Sequence, residues 1–248
     1  MPLTAGTRVG PYLIVAPIGA GGMGEVTDLY WHDNSAVRDF SPDGSQILFS
    51  EGAAAAGTDW VTYMRNTDGS PAVRLGDGLA TAFSPDGKWA MTNPAGPKAP
   101  LMGLPTHAGS ARTLSAGDIR HFGGRWLHDG KRIVFVGSEP GHRLRYYVQE
   151  GPESAPRAIS AENIVFDRFA DQIVTSPDGK SVAAVIVDTG IQLLPIDGGA
   201  PRSIPGTIGF APTAWCRDGG LLMTRPGETY AYTAQYDPST LFVVSGAH

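Results

Sequence analysis

Phe83-Ser84-Pro85-Asp86-Gly87-Lys88-Trp89 reads as an apolar residue, a four-residue turn and the first residue of an apolar strand. Proline at the second turn position presets φ near −65°, aspartate can accept nearby backbone N–H groups, and glycine takes positive φ at the end. Such a turn reverses the chain between adjacent antiparallel strands. The same Ser-Pro-Asp-Gly stands at residues 41–44 and 176–179, with degenerate copies at His128-Asp129-Gly130 and Arg217-Asp218-Gly219. The turn glycines are Gly44, Gly87, Gly130, Gly179 and Gly219, spaced 43, 43, 49 and 40 residues apart. A period of this length is the mark of a repeat array.

The flanks repeat with the turns. Phe40, Phe83, Leu127, Val174 and Trp215 precede them, and apolar strands follow at 47–49, 89–91, 133–135, 182–185 and 221–223. A second run comes next, as at 60–64, 144–148 and 191–196, then another turn and a short strand ending at Leu75, Leu114, Ile159 or Ile204. Each unit therefore offers about four strands. A four-stranded antiparallel sheet cannot cover both its faces alone, and radial stacking of such sheets does cover them. Composition agrees. Gly 33 and Pro 20 together make about a fifth of the 248 residues, which excludes a helical bundle. Hydrophobic residues at 42% and charged residues at 17% exclude a disordered chain. The expected fold is all-β: a β-propeller of five to six four-stranded antiparallel blades, its closure left open by the compressed fifth unit. The runs 228–232 and 239–245 serve equally to complete blade five or as the remnant of a sixth blade whose first part is missing.

The Phe-Ser-Pro-Asp-Gly-Lys-x-apolar pattern of residues 83–89 resembles the TolB-type, WD-repeat-like propeller family over roughly residues 30–248. That resemblance implies a six-bladed propeller used mainly for protein–protein contact; related propellers gate prolyl-oligopeptidase-like enzymes.

The first 26 residues follow another pattern. Gly19, Gly21, Gly24 and Val26 form G-x-G-x-x-G-x-V after an apolar stretch. This resembles the glycine-rich loop of bacterial eukaryotic-like serine/threonine kinases, which folds over ATP phosphates. The resemblance implies a kinase joined to a C-terminal sensor propeller. The four lysines, Lys88, Lys98, Lys131 and Lys180, all lie in the repeat region, and no His-Arg-Asp or Asp-Phe-Gly element is present. A lone loop supplies almost no phosphoryl transfer, which depends on positioning and metal-held charge. We therefore expect a vestigial, inactive kinase remnant over 1–26, a propeller over 27–248, no catalysis and no cofactor.

Other chemistry finds little footing. Net charge is −5 with scattered cations, unlike a nucleic-acid groove. Cys216 is the single cysteine and reads as a small core residue. No Gly-x-Ser-x-Gly elbow occurs, and His32, His107, His121, His128, His142 and His248 show no short metal-ligand spacing. The longest apolar run, 182–187, is far short of the roughly 20 residues of a membrane span. With no signal-peptide pattern, the expected setting is cytoplasmic and the expected state a monomer. Polar residues just before first strands would crowd the mouth of a central channel. Arg38, Arg120, His121, Asp167 and Arg168 are the candidates for that mouth. The expected function is non-catalytic binding of a protein or peptide, or ligand sensing. The alternatives are a propeller lyase or hydrolase acting in the channel, and residual ATP binding at the N-terminus.

Overall fold

The structure is a computed structural model that describes residues 8–9, 12–13, 35–52, 60–115, 117–166, 173–215 and 220–224. The chain divides into two compact units, residues 29–229 and residues 1–28 together with 230–248. In the second of these, β1 (Arg8–Val9) pairs antiparallel with β2 (Tyr12–Leu13). The glycine-rich segment 19–26, Cys216 and the runs 228–232 and 239–245 lie outside the described residues.

Residues 29–229 carry five successive antiparallel sheets, and no helix occurs among the described residues. Blade 1 is β3 (Ser35–Phe40), β4 (Gln46–Glu51), β5 (Val61–Asn66) and β6 (Val73–Asp77), paired in that order. Blade 2 repeats it with β7 (Leu79–Phe83), β8 (Trp89–Asn93), β9 (Leu101–Pro105) and β10 (Arg112–Ser115). Blade 3 is β11 (Arg120–Trp126), β12 (Ile133–Ser138), β13 (Arg145–Gln149) and β14 (Arg157–Ala158). In blade 4, β15 (Ile164–Val165) and β16 (Val174–Thr175) share one edge of β17 (Ser181–Ile186), followed by β18 (Gly190–Pro195) and β19 (Arg202–Ser203). Blade 5 is described by β20 (Ala211–Trp215) and β21 (Leu221–Thr224).

The turn chemistry explains the motif residue by residue. Ser84 Oγ donates to Asp86 Oδ1 at 2.6 Å while accepting the Trp89 N–H at 3.0 Å. Asp86 Oδ1 also accepts the Lys88 N–H at 3.1 Å, and Gly87, at φ +69°, closes the turn onto the Ser84 carbonyl at 2.9 Å. The same bonds recur at residues 41–46 and 176–181. In blade 3, Leu127 stands where blades 1, 2 and 4 have serine. There the Arg132 guanidinium replaces the missing hydroxyl, donating from Nε to Asp129 Oδ2 at 2.6 Å.

Strands two and three of blades 1 to 4 bury both faces, so their sequences read as continuous apolar runs rather than alternations. In β12, Ile133 and Phe135 pack toward blade 2 with Met91, Leu101 and Leu114. Val134 and Val136 pack toward blade 4 with Val182, Ala184 and Leu194. Leu48, Met64, Ala80 and Phe83 fill the junction of blades 1 and 2, and Ala183, Ile191, Trp215 and Leu221 that of blades 4 and 5. The apolar core is thus a series of layers between consecutive blades.

The register also explains the irregular spacing. In blade 1 a one-residue bulge at Arg38 sits between Val37↔Phe49 and Asp39↔Leu48. In blade 4 the inner edge pairs Val165↔Val185 and next Val174↔Ala183, so eight residues of sequence separate two pairs that have one residue between them on β17. The surplus over a simple bulge is six residues, which is the difference between the 49- and 43-residue spacings.

Candidate functional site

Each blade has two ends. The hairpin turns with their aspartates lie at one, the turn end. The links between blades and the loops between second and third strands lie at the other, the loop end. This follows from register: the start of β3 pairs with the end of β4, whose partner is the start of β5, whose partner is the end of β6.

The sequence candidates fall at different depths of this frame. Arg120 begins β11 at the loop end, exposed, its guanidinium carbon 5.0 Å from the Phe122 ring centre. Arg38 is the bulge residue of the blade 1 inner strand and is buried. His121 is only 4% exposed. Its Nδ1–H donates to the Ala99 carbonyl at 3.1 Å, Nε2 lies 3.0 Å from Ser115 Oγ, and its ring packs 5.0 Å from that of Phe135. Asn93 Nδ2 donates to the His121 carbonyl at 3.0 Å. Burial pushes the imidazole below its ordinary pKa, against the pull of the Ala99 carbonyl. His121 thus ties the loops of blade 2 to the first strand of blade 3. Asp167 and Arg168 fall in the six-residue surplus and lie outside the described residues.

Two groupings were not anticipated. Asp39, Ala82 and Arg125 stand five residues before the turn glycines of blades 1, 2 and 3. Over the small Ala82, Asp39 and Arg125 meet at 3.1 Å, with 21% and 29% of their side chains exposed. Asp39 Oδ2 also accepts the Phe83 N–H at 2.9 Å, so one carboxylate joins three inner strands. Equal position in the 43-residue repeat was the signal that could have found the pair.

The second grouping is at the loop end between blades 3 and 4. A cleft of about 400 Å³ is lined by Ser138, His142, Arg143 and Leu144 from blade 3, and by Glu162, Asn163, Ile164 and Val187 from blade 4 and the link leading into it. Glu162 Oε1 accepts His142 Nδ1–H at 2.7 Å and is also bonded by Arg145 Nη2, while Oε2 accepts the Arg143 N–H at 3.3 Å. The His142 hydrogen bond first, then the Arg143 N–H, holds the Glu162 carboxyl below its ordinary pKa. Nothing in the spacing of residues 142 and 162 predicts this meeting, since it depends on how two loops of different blades end. Among the described residues, no three His, Cys, Asp or Glu side chains come together as a metal cluster, and no helix is long and apolar enough to cross a membrane.

Comparison with solved structures places the fold. TolB from Acinetobacter baumannii aligns with a TM-score of 0.53 at 20% identity, over 68% of this chain and 45% of that one. The chain has the TolB-type propeller fold. An oligogalacturonate lyase in complex with manganese aligns with a TM-score of 0.55 at 17% identity, over 77% and 58%. A puromycin-hydrolyzing peptidase of Mycobacterium tuberculosis aligns with a TM-score of 0.52 at 13% identity, over 76% and 34%. The chain spans about half the length of the TolB structures it matches. No protein-family model matches the chain, and no curated protein does.

Proposed function

We propose that this chain is a non-catalytic binding module, a propeller that takes a protein or peptide partner at its loop end. The observation that carries this reading is the cleft between blades 3 and 4, where apolar side chains and a charged rim share one opening. Elsewhere the groups best suited to chemistry are engaged: His121 is buried in bonds to Ala99 and Ser115, and Asp39 is held by Arg125 and the Phe83 N–H. Rigid blades presenting irregular loops are a general platform for recognition. The G-x-G-x-x-G-x-V wording at 19–26 supports a place beside a bacterial serine/threonine kinase, the propeller acting as its sensing half. Residues 1–26 carry no phosphoryl transfer in this reading, because the phosphate-pairing lysine and metal-holding aspartate have no counterpart in the 248 residues.

Chemical cross-linking of the purified chain in extract, followed by reconstitution with the captured protein, tests the proposal. A saturable complex, with no ATP turnover by the chain alone, is expected. A stoichiometric metal ion together with turnover of a uronate polymer would replace the binding reading with a channel lyase. Turnover of a peptide or ester would replace it with a hydrolase.

A further inference from the structure

We propose that the cleft between blades 3 and 4 binds a carboxylate flanked by an apolar side chain, as at the end of a peptide. This rests on the binding-module reading and adds the subsite and its chemistry. Glu162 is the one acid lining the cleft, and its charge is already met by His142, Arg145 and the Arg143 N–H. The Arg143 guanidinium makes no ion pair or hydrogen bond with the described residues, and it is exposed on the cleft wall. Leu144, Ile164 and Val187 provide apolar surface beside it, with the Asn163 amide and Ser138 hydroxyl at hand.

Among the described residues, the other acids close by are turned elsewhere. Glu139 is turned toward blade 2, where Tyr147 Oη donates to it at 3.4 Å and the Tyr147 ring stacks on Phe135. Asp188 belongs to the adjoining turn and is outside the lining. What faces the cleft is therefore an available guanidinium on a chain whose net charge is −5. A guanidinium pairs a carboxylate through two parallel N–H bonds. The volume suits the last one or two residues of a chain rather than a folded surface.

The probe is the dansylated peptide Gly-Gly-Ala-Leu with a free C-terminus, compared with its amide, and amidated Gly-Gly-Leu-Glu compared with amidated Gly-Gly-Leu-Gln. Anisotropy titration should show binding of at least one carboxylate form, weakened about tenfold or more when that carboxylate is removed. The first pair reports a chain end and the second a side chain. Arg143→Ala should weaken the bound form by the same factor, Arg143→Glu should abolish binding and Arg143→Lys should restore part of it, all with unchanged circular dichroism. Lys131→Ala, at the turn end, should leave affinity unchanged. Equal affinity for acid and amide forms, binding that survives Arg143→Glu, or no binding of either peptide overturns the assignment. Exchange protection by a bound peptide that falls away from residues 138–144 and 159–164 also overturns it, while leaving the binding-module reading standing.

Discussion

The hydroxyl of Ser84 holds two bonds at once, giving its proton to Asp86 and receiving that of the Trp89 amide. Ser84→Ala removes both from a buried hydroxyl at the base of an otherwise exposed turn. Urea unfolding should record a loss of about 1–3 kcal/mol. In the equivalent turn of blade 1, the Ser41 hydroxyl is the chief cause, followed by the Ser45 amide and hydroxyl, of an Asp43 pKa lowered to about 2. A carboxyl with a depressed folded pKa adds stability above its unfolded value and loses it as pH falls through the folded one. For Asp43 that window runs from 3.8 down to about 2. Carboxyl-carbon NMR should place its midpoint near the lower limit, and Ser41→Ala should move it back toward 3.8. The motif was legible at this scale because each of its residues serves a local bond. Where serine is lost, at Leu127, the Arg132 substitute could not be read, because it is supplied from two residues beyond the turn glycine by a side chain with many possible partners.

Strand positions followed from the apolar runs because blades 1 to 4 bury their middle strands on both faces. What a run cannot reveal is how closely two blades approach. A Cβ on Gly124 in β11 would stand 2.7 Å from Met91 Sδ and 3.0 Å from Leu101 Cδ1 of blade 2. Gly124→Val must therefore displace the fully buried Met91 and Leu101 side chains from their packing, and thermal denaturation should show about 1–3 kcal/mol of destabilisation. Spacing was legible as a number, 49 against 43, but its seat was not, since any loop could have absorbed the surplus. Register places it in the blade 4 inner strand. Deleting residues 167–172 leaves Phe166 and Ile173 facing Ala184, a single-residue bulge like that at Arg38. The shortened chain should fold with an unchanged β-sheet circular dichroism spectrum and a Tm within a few degrees of the parent. Loss of cooperative unfolding would show that the blade needs the longer segment.

Across the blades, long-range pairs do what local motifs cannot. Asp39 and Arg125 are 86 residues apart in sequence, yet they join blades 1 and 3 over Ala82. A double-mutant cycle with Asp39→Ala and Arg125→Ala should give a coupling of about 1 kcal/mol, and the Asp39 single variant should lose more because the Phe83 amide is also left unmet. The turn end is built from near-identical reversals, whereas the loop end differs from blade to blade. The repeat therefore announced the scaffold, while the cleft, made where two unlike loops stop, was invisible until the blades were set side by side. Central to the account is that the loop end, not the turn end, meets the partner. Hydrogen–deuterium exchange of the chain with and without its captured partner measures this directly. Protection is predicted at residues 115–120, 138–144, 159–164 and 187–190, with the turns at 41–45, 84–88 and 176–180 unchanged. Protection confined to those turns would contradict it.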